Sequence, residues 1–164
     1  MIEEGKRKRK VRSDKKVDVK PTMSVTLKKQ LNDFARICDE PVKDVAEQLC
    51  VKGATSEFII ENIRQWFRKD YHRPHTITRG FIERPRLKIT YQGETDKVTI
   101  KFVQKDYDLL SDLARALDIN PTATSSVLIK MTLSNRNFMH EYIQLYLNHL
   151  DQQKISEIKR LLDL

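Results

Sequence analysis

The stretch KVTIKFV, residues 97–103, alternates polar and apolar side chains and is typical of a β-strand with one buried face. As a strand it turns Val98, Ile100 and Phe102 towards a core. The opposite face then carries the polar side chains Lys97, Thr99 and Lys101. A strand of this kind predicts a sheet surface that meets a polar partner.

A second stretch, PTMSVTL at residues 21–27, alternates in the same way. Read as a strand, it points Met23, Val25 and Leu27 inward. Its outward face carries Thr22, Ser24 and Thr26.

The segments that follow these two stretches also match. LNDFARICD at residues 31–39 recurs as LSDLARALD at residues 110–118, which is 79 positions later. Pro41 then matches Pro121, and FIIENIRQWF at residues 58–67 matches FMHEYIQLYL at residues 138–147, both at a spacing of 80. These matches predict an internal duplication with one inserted residue.

Each copy has the pattern of one strand followed by three helices, so we expect a mainly α protein with short β-strands, of the α+β class. A further alternation at Leu87, Ile89 and Tyr91, followed by Gly93, predicts that a hairpin strand is added to the second copy. The predicted segments are a disordered basic arm (1–20), a first unit (21–67), a basic linker (68–86), a second unit (87–150) and an amphipathic C-terminal helix (151–164).

The formal net charge of +8 is concentrated in two segments. Residues 1–20 carry nine Lys or Arg against four acids, and residues 68–88 carry seven against two. Clustered positive charge favours a polyanionic partner. No apolar run is long enough to predict a membrane span or a signal peptide, and the two cysteines predict a reducing compartment rather than a disulfide framework.

A short strand followed by two helices, at residues 21–52 and again at residues 97–133, resembles the ribbon-helix-helix (MetJ/Arc) superfamily. The resemblance implies that two strands pair antiparallel into a ribbon that enters the major groove of double-stranded DNA. The third helix of each copy exceeds the minimal fold of that family. The resemblance also implies that the outward side chains contact base edges. These side chains are Lys97, Thr99, Lys101, Thr22, Ser24 and Thr26.

The same resemblance implies phosphate contacts at the amino end of each second helix, where free N–H groups and the helix dipole favour an anion. Those positions are Val42 and Lys43 in the first copy and Thr122, Ala123 and Thr124 in the second. The basic run within the arm is expected to add salt-dependent affinity without choosing a sequence, through Lys6, Arg7, Lys8, Arg9 and Lys10. The linker either crosses a phosphate backbone or stays solvated.

We therefore expect a sequence-specific DNA-binding protein, cytoplasmic and nucleoid-associated. Its role would be that of a transcriptional repressor or an accessory factor that marks an operator, origin or transfer origin of a plasmid, phage or conjugative element. The two copies could pair within one chain as a pseudo-dimer, or with a second chain as a homodimer. One alternative is a protein-interaction module, such as an antitoxin or assembly adaptor, that uses its C-terminal helices and binds DNA only nonspecifically. Another is an RNA-binding protein.

The sequence predicts neither an enzyme nor a cofactor. It has no Gly-rich phosphate loop, no nucleophile elbow and no pair of metal ligands with helical spacing. His72 and His75, taken with the two cysteines, do not form a zinc pattern.

Overall fold

The computed structural model describes residues 15–164, which form a mainly helical α+β protein with short antiparallel strand pairs. In chain order the elements are β1 (Lys16–Val19), β2 (Thr22–Ser24), α1 (Val25–Cys38), α2 (Val42–Thr55), α3 (Glu57–Ile63) with a 3₁₀ turn (Arg64–Trp66), β3 (Tyr71–Arg73), β4 (Thr76–Thr78), β5 (Thr95–Lys97), β6 (Ile100–Val103), α4 (Gln104–Leu117), α5 (Pro121–Ser134), α6 (Arg136–Tyr146) and α7 (Gln152–Leu161).

Residues 16–24 and 95–103 run antiparallel and pair at both ends, and we call this pair the ribbon. β1 pairs with β6 and β2 pairs with β5, in one continuous register that sets Lys16 opposite Val103 and Ser24 opposite Thr95. The ladder is interrupted in the middle because Pro21 has no N–H to donate. Its carbonyl still accepts a 3.2 Å hydrogen bond from the N–H of Val98.

The inner face of the ribbon covers the hydrophobic core. Val19, Met23, Ile100 and Phe102 are buried there, as the alternation at residues 97–103 predicts for its own strand. Beneath the ribbon α2 packs against α5. The two helices approach closely at Gly53, where a Cβ atom would lie 2.7 Å from Thr132 Cγ2.

The elements that follow the two strands of the ribbon correspond at a constant spacing of 79. α1 and α4 both span 14 residues and end at a left-handed aspartate, Asp39 with φ 55° and Asp118 with φ 58°. The prediction that the spacing changes to 80 is wrong. Pro41 is the N-cap of α2, whereas Pro121 is the first residue of α5 and follows the N-cap Asn120.

The buried positions follow the same spacing. In α2 and α5, Val45, Ala46, Leu49 and Gly53 correspond to the buried residues Thr124, Ser125, Leu128 and Thr132. In α3 and α6, Ile59, Ile60 and Ile63 correspond to Phe138, Met139 and Tyr142. A single spacing therefore relates both the backbone and the core of the two halves.

The first strand lies earlier in the chain than predicted. It begins at Lys16, inside the segment expected to be a disordered arm, and it ends at Ser24. The Ser24 hydroxyl accepts a 3.1 Å hydrogen bond from the N–H of Leu27 and starts α1. Val25, Thr26 and Leu27 are therefore helical, and the expectation that Thr26 belongs to an outward strand face is wrong.

The hairpin strand predicted at residues 87–91 is not formed. Strand 95–103 takes its partner from residues 16–24 instead. Leu87 and Ile89 pack singly against the core, which satisfies their side chains without a sheet.

The basic linker is folded, and several of its arginines find partners inside the molecule. β3 and β4 form a small hairpin, and Arg73 forms an ion pair with Glu57. Arg68 and Arg86 lie 3.0 and 3.1 Å from Asp118, and Arg84 donates to the carbonyls of residues 64 and 67. These internal contacts are a role that neither expectation for the linker, a phosphate crossing or a solvated segment, includes.

Candidate nucleic-acid interface

The outer face of the ribbon is a two-stranded surface rich in lysine and hydroxyl groups. Alternate residues of both strands point away from the core, and most of them are exposed. At about 3.3 Å per residue, this face is roughly 26 Å long. Its side chains are Lys16, Asp18, Lys20, Thr22 and Ser24 from the first strand and Thr95, Lys97, Thr99, Lys101 and Val103 from the second.

The pairing register defines a local two-fold axis through the ribbon. Lys20 and Thr99 differ by 79, so they are equivalent positions, and they lie opposite each other. Gly53 and Thr132 also differ by 79 and meet where α2 crosses α5. One pseudo-two-fold axis therefore relates the two halves from the outer face to the core.

Lys97, Thr99 and Lys101 are exposed on this face, where the alternation predicts them. Thr22 and Ser24 lie on the same face but are partly buried. The Thr22 carbonyl accepts a 2.8 Å hydrogen bond from Ser126 Oγ. The side-chain oxygen of Ser24 accepts from the N–H of Leu27, which makes it less available to a ligand.

Sequence reasoning missed Lys16, Asp18 and Lys20, which are all exposed on the outer face. The sequence does contain a signal for these residues. When the spacing of 79 between the helices is applied to the preceding residues, 16–24 align with 95–103. The inward residues Val19, Pro21 and Met23 then align with Val98, Ile100 and Phe102 of the quoted strand.

The amino end of α2 is open. No side chain caps it, and the N–H groups of Val42 and Lys43 have no acceptor among residues 15–164. Asp44 occupies the first turn, and Glu47 and Asp106 are close enough to interact. Burial raises the pKa of Glu47, an effect that Lys16 opposes and Asp106 and Asp44 reinforce. Open donors and acidic neighbours thus coexist at this end of the ribbon.

The amino end of α5 is capped instead. The N–H of Ala123 donates to Asn120 Oδ1 at 2.7 Å, and the N–H of Thr124 donates to the Asn120 carbonyl at 3.0 Å. Thr124 is fully buried, while Thr122 is exposed and keeps the free N–H of this turn. Of the three positions predicted to bind phosphate in the second copy, Thr122 alone presents an unused backbone donor.

An open groove of about 660 Å³ runs beside β2, at the end of the first strand of the ribbon. Thr26, which is exposed near the start of α1, lines this groove rather than the outer face. Trp66 and Lys130 line it as well, together with the segment at residues 87–92. The remaining predicted phosphate contacts, Lys6, Arg7, Lys8, Arg9 and Lys10, lie outside the described residues.

Both cysteines of the described region and Tyr71 are buried, and burial raises their pKa values. Burial raises the pKa of Cys38 to about 12 and that of Cys50 well above its usual range. Burial also raises the pKa of Tyr71 to about 12, and its hydroxyl donates a 2.8 Å hydrogen bond to the carbonyl of Ala54.

Within residues 15–164, no three His, Cys, Asp or Glu side chains lie together in a way that could hold a metal ion. In the same part of the chain, every helix is too short or too polar to cross a membrane. No protein-family profile matches this chain, and neither a curated protein nor a solved structure is detectably similar to it.

Proposed function

We propose that the protein is a sequence-specific double-stranded DNA-binding protein built from two ribbon-helix-helix-like units in one chain. The first unit comprises residues 16–63 and the second comprises residues 95–146. The observation that carries the proposal is the intrachain ribbon, whose outer face presents lysines and hydroxyls above a helical core.

The shape of the ribbon supports this assignment. The major groove admits a two-stranded β-ribbon, and each base pair presents a distinct set of donors and acceptors there. A face of roughly 26 Å corresponds to about eight base-pair steps. The major groove of A-form RNA is too narrow for a ribbon, so duplex DNA is the preferred nucleic acid.

The charge of the face supports it as well. Lys16, Lys20, Lys97 and Lys101 are exposed on the ribbon and Asp18 is its one acid. None of these five side chains has an ion-pair partner among residues 15–164. Lysines that form no direct ion pair within the molecule are free to contact bases and phosphates.

In the proposed complex, ribbon side chains read base edges and the amino ends of α2 and α5 approach flanking phosphates. The basic run at residues 6–12 adds affinity that is independent of sequence. The role is that of a repressor or of an accessory factor marking an operator, origin or transfer origin of a mobile element, in the nucleoid. This last step rests on the family resemblance alone.

The deciding experiment is selection from a random duplex library, followed by titration of the selected site and a scrambled control at two salt concentrations. We expect the selected site to bind about a thousandfold or more tighter than the control. Lys97→Ala and Lys101→Ala should each weaken binding to the selected site by about 1–3 kcal/mol. Each should also lower the preference of the protein for that site over the scrambled duplex. Lys159→Ala, an exposed change on α7, is the matched control.

Deletion of residues 2–12 separates the arm from the ribbon. It should weaken binding to the selected and scrambled duplexes equally, and it should make the affinity less dependent on salt concentration. Equal losses on both duplexes for the ribbon variants and the deletion would remove the ribbon from sequence reading.

A second candidate function, binding of another protein, rests on exposed apolar side chains of the third helices. Phe58, Leu145 and Tyr146 are 39%, 54% and 41% exposed. The tail helix is less suited to this role, because α7 packs against α1 and buries Ile158. Selection that yields no motif, with only weak and salt-sensitive DNA binding, would favour this second function.

A further inference from the structure

The single carboxylate on the outer face of the ribbon bears on which DNA sequence the face can read. Asp18 is exposed and lies opposite Lys101 in the register. No ion-pair partner for its carboxylate lies within residues 15–164. A carboxylate that approaches a polyanion loses affinity unless it accepts hydrogen bonds from donors on that surface.

Asp18 breaks the pseudo-two-fold symmetry of the outer face, so the two ends of the face differ chemically. Asp18 lies two residues from the axis residue Lys20, and its equivalent across the axis is Lys97. On one side of the axis Asp18 stands beside Lys101, and on the other side Lys97 stands beside Thr22. At equivalent points, the two halves of a palindromic site present the same base edge, and that edge either donates to the carboxylate or accepts from the ammonium group.

The donors and acceptors of the major groove determine which bases a carboxylate and a lysine can contact. A carboxylate accepts from the N4 amino group of cytosine, and lysine donates to O6 and N7 of guanine. Directly opposite side chains of an antiparallel pair have Cβ atoms about 4.5–5.5 Å apart, which is about one and a half base-pair steps of about 3.4 Å. Asp18 and Lys101 together therefore match the cytosine and guanine edges of one C·G pair or of two adjacent pairs.

We infer that the protein reads a non-palindromic DNA site, with a cytosine contacted by Asp18 in one half and a guanine contacted by Lys97 at the equivalent position of the other half. This inference rests on the proposed function. It gives the complex one orientation on its site, so the two units bind different half-sites.

The test repeats the library selection with the full chain, Asp18→Asn and Asp163→Asn. The last variant makes the same change of charge at an exposed residue outside the ribbon. We expect the full chain to select a motif without two-fold symmetry. Asp18→Asn should change one position in one half from C·G to A·T, because asparagine pairs with the N6 and N7 atoms of adenine. Asp163→Asn should leave the motif unchanged.

A symmetrised face provides a second, independent variant. Asp18→Lys, Lys20→Thr and Thr22→Lys combined give both strands the outward series lysine, threonine, lysine. All three positions lie on the outer face, and thermal unfolding monitors the fold of the variant. This protein should select an inverted repeat, and its affinity for the site of the full chain should fall by about tenfold or more.

The outcomes separate this inference from the proposed function. A palindromic motif for the full chain would overturn the inference and leave DNA reading intact. So would an Asp18→Asn variant that binds every duplex more tightly with an unchanged motif, because the carboxylate would then only moderate charge. Failure of the full chain to select any motif would overturn the proposed function and the inference together.

Discussion

The two halves of this chain share the positions of their buried residues but differ at the surface that they present. α1 and α4 end in the same left-handed aspartate turn, and one spacing of 79 relates buried positions throughout. At the outer face, however, Asp18 in one unit stands where Lys97 stands in the other. The amino end of α2 is open and has acidic neighbours, whereas that of α5 is capped by Asn120.

The difference follows from what packing constrains. Side chains at the pseudo-two-fold axis must fit one another in a dense interior, where adding or removing even one methylene group changes stability. Outward side chains meet solvent, so each unit could diverge without loss of stability. A single chain can thus keep a symmetric arrangement of helices and buried positions beneath an asymmetric outer face.

The largest expected effect comes from removing the aromatic anchor of the ribbon. Phe102→Ala should lower the free energy of unfolding by about 3–5 kcal/mol, since the ring is fully buried and leaves a cavity. Denaturant unfolding followed by Trp66 fluorescence and by circular dichroism measures it. Val103→Ala on the outer face is the control and should change stability by less than about 0.5 kcal/mol.

Met23 is the equivalent of Phe102 in the first unit, and it sharpens this test. Met23→Ala should also lower stability, by about 2–5 kcal/mol, and the two probes should coincide for both variants. Coincidence is expected because the ribbon joins strands from both units. Two separate transitions would mean that the units fold independently.

A smaller effect should follow from making the units identical at the axis. Gly53→Thr places a second threonine against Thr132, where a Cβ atom already approaches Cγ2 to 2.7 Å. Overpacking of this kind should cost about 1–3 kcal/mol of unfolding free energy. The measurement is again denaturant unfolding of the purified variant.

The double variant Gly53→Thr/Thr132→Gly exchanges the two residues across the axis. It should recover most of the lost stability, because the pseudo-two-fold relation makes the two positions equivalent. If the double variant is less stable than Gly53→Thr alone, the crossing of α2 and α5 lacks that symmetry.

The smallest expected effect concerns the two aspartate caps. Asp118 binds basic side chains of the linker, and its hydrogen bond from Arg86 is the main reason that its pKa lies below the usual value. Asp118→Asn should therefore destabilise the protein at pH 7. In the unfolded chain this carboxyl has its ordinary pKa of about 4, so the unfolded chain takes up a proton first as the pH falls. The stability that Asp118 adds relative to Asp118→Asn should therefore decrease below about pH 4.

Asp39→Asn is the matched control, since Asp39 has the same left-handed backbone and no ion pair within residues 15–164. Unfolding at pH 7 and pH 3 compares the two variants. Equal losses at both pH values would show that the ion pairs of Asp118 contribute nothing beyond the backbone turn.

The sequence by itself determined the elements whose signals are local. Alternation at residues 97–103 identified a strand with the correct inward face, and the matching segments at residues 31–39 and 110–118 identified two equivalent helices. It also indicated the α+β class. It did not determine where the first strand ends, because Val25 and Leu27 fit both a period of two and the first turn of a helix.

Only the tertiary structure decided which segments meet. Pairing of residues 16–24 with residues 95–103 brought Lys16, Asp18 and Lys20 onto the outer face, and it left residues 87–92 without a strand partner. It also gave Arg68 and Arg86 of the linker an ion-pair partner in Asp118. Register and ion pairing depend on groups far apart in the chain, so their energies have no counterpart in any local pattern of residues.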